Sequence, residues 1–147
     1  MKGIITFSHQ FVEFVPEHLE QGVIYVSIPY ATVTHKCACG CALGVVTPLA
    51  PYAWQLTFDG ESVSLYPSIG NWTFPCRSHY WIRNNKVKWS YEWSEKEINA
   101  GRRAEHEKRE RHFARGDSNS GGPVEDQPTP KTSKGLFKNL KKRRHSR

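Results

Sequence analysis

A mainly β fold, small and zinc-stabilised, with antiparallel strands followed by a solvated C-terminal helix and a disordered basic tail, is predicted for this 147-residue chain by three observations. Aromatic residues are concentrated in the first 93 positions. Short runs rich in β-branched residues alternate there with turn formers. Three cysteines fall at 37, 39 and 41, with a fourth at 76, which is the spacing of a metal site rather than of a disulfide framework. The apolar fraction, 37%, is lean for a chain folded along its whole length, so part of it is expected to lie outside the core.

Residues 23–28 and 31–34 are β-branched and aromatic, with Pro29 marking a bend between two strands. Residues 43–46 continue the pattern. In 52–58, Trp54, Leu56 and Phe58 share one face while Gln55 and Thr57 share the other, the alternation of a half-buried strand. Asp59-Gly60 then turns the chain into 62–66, a strong hairpin signal. The stretch 65–72 reads as a loop, because Pro67, Gly70 and Asn71 are turn formers. A second hairpin is predicted from 79–83, the turn Asn84-Asn85, and 86–89. Beyond Trp93 the pattern becomes helical: Ser94 caps the helix and Glu97 completes a capping box. From 95 to 113 only Gly101 breaks the run, and there is almost no apolar stripe. Such a helix is solvated and leans on pairs such as Glu105 with Arg109 and Glu107 with Arg111. The resulting organisation is a zinc-binding β-rich domain over 1–93, a charged helix over 94–115, and a disordered linker with a polybasic tail over 116–147.

Charge divides along the same boundaries. In the first 93 residues Lys2, Lys36, Arg77, Arg83, Lys86 and Lys88 are matched by Glu13, Glu17, Glu20, Asp59, Glu61 and Glu92. The net charge of +7 therefore belongs to the tail, and it gives no reason to assign nucleic-acid binding to the folded part. Residues 131–147 read as a solvated polybasic end, with nucleic acid or an anionic surface as a second reading. No window has the roughly 18 apolar residues of a transmembrane segment, and a signal-peptide pattern is lacking at the N-terminus, so a cytoplasmic location is expected.

The chemistry concentrates in two places. His35-Lys36-Cys37-Ala38-Cys39-Gly40-Cys41 offers three thiols and an imidazole, soft ligands of the kind zinc takes, and Cys76-Arg77-Ser78-His79 offers a second half-site. A four-ligand site is expected from Cys76 and His79 with two of Cys37, Cys39 and Cys41. His35, ending a strand, is a lesser candidate as ligand or acid-base group. Ser68, Asn71, Ser78 and His79 are candidates for a polar pocket beside the metal, against a reading in which Pro67, Gly70 and Asn71 build a turn and Trp72 packs the core. A serine nucleophile, Ser68 or Ser78, needs a base and an orienting group, for which spacing offers His35, Asp59 and Glu61. His-Glu-x-x-His is absent, and so is the His-x-Glu or Cys-x-Glu half of the zinc deaminase signature.

The combined motifs, His-x-Cys-x-Cys-x-Cys with Pro-Ser-Ile-Gly-Asn-Trp at 67–72 and Cys-Arg-Ser-His-Tyr-Trp-Ile at 76–82, resemble a family of small bacterial and phage proteins catalogued as a domain of unknown function. The resemblance covers roughly 20–90. Some relatives look to be encoded beside bacterial ubiquitin-like modifiers and their conjugation enzymes, which implies such proteins as partners. It marks Cys37, Cys39, Cys41, Cys76 and His79 as the metal set and His35, Ser68 and Ser78 as catalytic candidates. It also implies a second glycine after Cys41, where this chain has Ala42. Two functions follow as expectations: a zinc-binding accessory or binding module, or a hydrolase of ubiquitin-like proteins using a metal-bound water or a Ser or Cys nucleophile.

Overall fold

The computed structural model describes residues 3–117, and the expected linker and basic tail beyond 117 lie outside the described residues. Among the described residues, eight strands precede one helix: β1 (Ser8–Phe11), β2 (Val23–Ser27), β3 (Thr32–Lys36), β4 (Gly44–Pro48), β5 (Gln55–Phe58), β6 (Val63–Gly70), β7 (His79–Arg83), β8 (Lys86–Trp89) and α1 (Glu95–Asp117). They form two four-stranded sheets in simple chain order, β1-β2-β3-β4 and β5-β6-β7-β8. Pairing is antiparallel except between β1 and β2, which run parallel. β1 had no signal in the sequence because its alternation is carried by Ser8, His9 and Gln10 rather than by apolar side chains.

Inward residues of both sheets make one core: Ile24, Val26, Val33 and Val45 from the first, Val63, Leu65, Ile69, Tyr80, Ile82 and Val87 from the second. β2 is buried along its whole length, since residues 12–22 cover its outer side: Ser27 Oγ donates to the Glu13 carbonyl at 2.6 Å, and the Tyr25 hydroxyl accepts from the Glu20 amide at 3.2 Å. Asn84 and Asn85 both take positive φ, 47° and 62°, as a tight hairpin between β7 and β8 requires.

Two features of the second sheet position the site. First, residues 67–70 are strand rather than loop. β6 pairs with β5 up to Tyr66 and with β7 at Ile69 and Gly70, with a register shift between Leu65 and Ile69. Pro67 lacks an amide hydrogen and falls in that irregularity, where no ladder bond is demanded of it. Second, alternation in β7 turns Tyr80 and Ile82 into the core and His79 and Trp81 to the opposite face, where Tyr66 and Ser68 of β6 also lie.

α1 begins with the expected capping box: Ser94 Oγ accepts from the Glu97 amide at 3.3 Å, and Glu97 accepts from the Ser94 amide at 2.8 Å. Burial on the helix is confined to Ile98, with Gly101 set against Trp93. Near its far end Tyr52 packs on His112 and Phe113, and the Arg109 guanidinium lies 5.6 Å from the Tyr52 ring centre. Among the described residues, no helix is long and apolar enough to cross a membrane.

Candidate functional site

The loop from 71 to 78 joins β6 to β7 and divides two chemical centres. On one side lie four thiols. Cys37 directly follows β3, Cys39 and Cys41 come next on a tight turn, and Cys76 comes from the 71–78 loop. All four sulfurs lie within 4.8 Å of one another. Cys37 Sγ is 3.5 Å from Cys39 Sγ and 3.9 Å from Cys76 Sγ, and Cys41 Sγ is 3.9 Å from Cys76 Sγ. Four sulfurs at ~2.3 Å from a tetrahedral zinc stand about 3.8 Å apart, so this donor set fits a closed four-thiolate site with little rearrangement. The turn is shaped for it: Gly40 takes φ 94°, the Gly40 amide donates to the Cys37 carbonyl, and the Cys41 amide points to Cys39 Sγ at 3.3 Å.

Surroundings tune the thiols unequally. Burial pushes Cys37 up, opposed by the Ser78 hydroxyl 3.0 Å away. At Cys76 burial also acts upward, but hydrogen bonds from the Ser78 hydroxyl and amide, with those of the Cys39 and Cys37 thiols, outweigh it and bring the group down to about 7. Ser78 is itself held by Asn71 Nδ2 at 3.0 Å. Both residues therefore serve the cysteine cluster, and Ser78 has no imidazole beside it.

Ala42, directly after this turn, takes φ 64°. That is the left-handed region, where a Cβ costs about 1 kcal/mol and glycine is at ease. Ala42→Gly is expected to stabilise the domain by up to about 1 kcal/mol, read as a rise in the chemical-denaturation midpoint at unchanged slope; an equal or lower midpoint would refute it.

On the other side of the loop, His79 is 5% exposed and both its ring nitrogens are engaged. Nδ1 lies 2.8 Å from the Tyr91 carbonyl oxygen, and Nε2 lies 2.8 Å from Ser68 Oγ. A carbonyl only accepts, so Nδ1 carries the proton and Nε2 is left with its lone pair toward the Ser68 hydroxyl. The structure places His79, expected among the metal ligands, outside the group of four thiols: β7 starts at His79, and strand alternation sends its side chain away from that of Ser78. The imidazole is gripped by aromatic rings, with Trp72 and Trp93 centred 5.0 and 5.1 Å from it and stacked on each other at 5.6 Å. Gly70 permits this, since a Cβ there would come within 2.5 Å of the Trp72 indole nitrogen. Arg77 ties the loop to the segment carrying Tyr91 through Glu92 at 2.7 Å and Glu95 at 3.2 Å.

Ser68 and His79 open into a cavity of about 200 Å³ walled by Trp54, Trp72 and Trp93 and roofed by Ile98, Gly101 and Glu105 of α1. His35 is elsewhere. It is fully buried in the core, its Nε2 2.8 Å from the Tyr80 hydroxyl, and burial lowers its pKa to about 4, which favours the neutral ring. Asp59 is spent on its own hairpin turn, accepting from the Glu61 and Ser62 amides. The imidazole beside Ser68 is thus that of His79, and its other nitrogen is held by a backbone carbonyl, which no reading of side-chain spacing reveals.

The model of the family described as bacterial ubiquitination-like system serine protease (BubE) matches residues 11–90, a span that includes Ser68, His79 and all four cysteines. No curated protein and no solved structure matches the chain.

Proposed function

Because the chain belongs to the family of bacterial ubiquitination-like system serine proteases (BubE), we propose that it is a serine hydrolase of that pathway with Ser68 as nucleophile and His79 as general base. The single observation that carries this is the 2.8 Å contact between Ser68 Oγ and His79 Nε2 in an imidazole whose other nitrogen is fixed by the Tyr91 carbonyl. The substrates that fit are acyl linkages to ubiquitin-like modifiers, which also makes those modifiers and their conjugation enzymes its partners.

The chemistry follows from the geometry. As Ser68 Oγ bonds to the substrate carbonyl carbon, its proton passes to Nε2, and the Tyr91 carbonyl stabilises the imidazolium through Nδ1–H. Collapse breaks the bond to the leaving group, which takes the Nε2 proton. Water then gives a proton to Nε2 as its oxygen attacks the acyl-serine, and Ser68 leaves with that proton. A triad of this form without a carboxylate keeps the tautomer and orientation that a carboxylate would impose, but supplies less charge stabilisation.

The thiol cluster supports a structural role. Cys37, Cys39, Cys41 and Cys76 would hold a zinc as four thiolate ligands, and the ion would then supply a cross-link between the 37–41 turn and the 71–78 loop. That loop connects the strand of Ser68 to the strand of His79, so such a cross-link would hold nucleophile and base in register. The accessory-module and metal-water readings are less favoured, because a paired serine and histidine stand in a cavity away from the thiols.

The test is labelling of the full-length chain with a fluorophosphonate probe followed by peptide mapping. We expect one adduct, on Ser68, lost in His79→Ala. An adduct on Ser78, or none on a folded sample, refutes the assignment.

A further inference from the structure

α1 is held to the body near its two ends and stands clear of it between them. Ile98 is 2% exposed and Gly101 abuts Trp93, while Tyr52 packs against His112 and Phe113. Between these anchors runs a groove of about 660 Å³. Its floor is apolar, from Pro48, Tyr52, Trp54 and Pro67, and its wall is one face of α1, with Arg102, Glu105, His106 and Arg109 at helical spacing and Lys108 beside them.

This face is the wrong one for a helix packed only for stability. A helix that docks on a protein turns its apolar residues inward, as Ile98 and Phe113 do at the anchors, whereas along this groove Ala104 is the one apolar residue that α1 offers beside Arg102, Glu105, His106, Lys108 and Arg109. The groove also leads somewhere: Trp54, Arg102 and Glu105 line both it and the cavity that holds Ser68 and His79, and Pro67 on its floor adjoins Ser68 in sequence.

We propose that the groove is the docking cleft for an extended substrate segment next to the scissile bond, with apolar residues laid on Pro48, Tyr52 and Trp54 and a carboxylate side chain met by Arg102 and Lys108. Cations outnumber the single acid on the wall, so the cleft selects acidic over basic side chains. Arg102, at the junction of groove and cavity, is the specificity-determining residue. The inference rests on Ser68 being the nucleophile. It goes further in naming the chemistry of the bound segment and in giving α1, which lies outside the family-matched residues, a part in selecting it.

The experiment uses the full-length chain, a fluorophosphonate probe and a positional-scanning library of internally quenched octapeptides. Wild type should prefer Asp or Glu over Lys by about tenfold in kcat/KM at a position within four residues of the cleaved bond. Arg102→Glu should reverse that preference, acting mainly through KM. Arg103→Glu, the same charge change on an exposed helix position outside the groove, should leave the preference as it is. Ser68 labelled by the probe but no charge preference, no library cleavage, or a preference indifferent to Arg102→Glu overturns the groove and leaves the nucleophile standing. Absence of the Ser68 adduct takes both down.

Discussion

Ser68→Ala is expected to lower kcat by about 10³-fold or more for any acyl substrate the protein turns over, His79→Ala to do nearly as much, and the double variant to be scarcely worse than either. The non-additivity is the informative part. Ser68 Oγ and His79 Nε2 are 2.8 Å apart, and in the proposed mechanism they act on one proton, so each would be ineffective without the other. Two residues that contributed independently, one to folding and one to chemistry, would show multiplied losses instead. Single-turnover and steady-state kinetics of the four proteins on one acyl ester measure this, with circular dichroism confirming that each is folded. A Ser68→Ala variant that keeps a tenth or more of the wild-type kcat would end the nucleophile assignment. Trp72 and Trp93 grip the same imidazole, which accounts for its position without a carboxylate partner.

Metal removal is the second large effect. A structural zinc contributes on the order of 10–16 kcal/mol of apparent binding energy in small zinc-dependent peptides, while a domain's whole net stability is only about 5–15 kcal/mol. Purified protein is therefore expected to carry about one zinc per chain by elemental mass spectrometry. Chelation, or Cys76→Ser, is expected to remove it and lower the melting temperature. Even a loss of ~3 kcal/mol corresponds to roughly 12–24 °C for a domain of this size. Fluorophosphonate labelling of Ser68 should fall with it, because the loop that carries Cys76 links the strands of Ser68 and His79. His79→Ala should retain the metal, which separates this arrangement from the one in which His79 is a ligand. Full zinc content and an unchanged melt in Cys76→Ser would show that the four thiols serve another purpose.

Much of the architecture was legible in the chain. Alternation over 52–58, Asp59-Gly60 and Asn84-Asn85 marked two hairpins because the period and the turn chemistry are local, decided by residues a few positions apart. Ser94 and Glu97 marked the start of α1 for the same reason. Two local readings failed where tertiary pairing outweighed them. Residues 67–70 carry turn formers, yet β7 supplies partners on one side and the strand continues past Pro67. Ser8, His9 and Gln10 carry no apolar signal, yet β2 draws them into a parallel edge strand.

The site divides in the same way. That the 37–41 thiols would meet Cys76 was readable from three cysteines in five residues and a fourth at 76, since soft ligands at such spacing have few other uses, but one of the three was expected to stay apart and all four come together. Which centre each neighbour serves was not. Ser78 and His79 are adjacent in sequence, but one faces the thiols and the other faces Ser68, because alternation begins at the first residue of β7. Only the fold could decide that boundary. Likewise the orienting group of His79 is the carbonyl of Tyr91, and a backbone oxygen leaves no trace in residue identity. Composition, turns and ligand type follow from the chain alone because they depend on side-chain chemistry and short-range geometry. The pairing of Ser68 with His79, eleven residues apart across a bulged strand pair, belongs to the tertiary structure, which alone sets the register and face of β6 and β7.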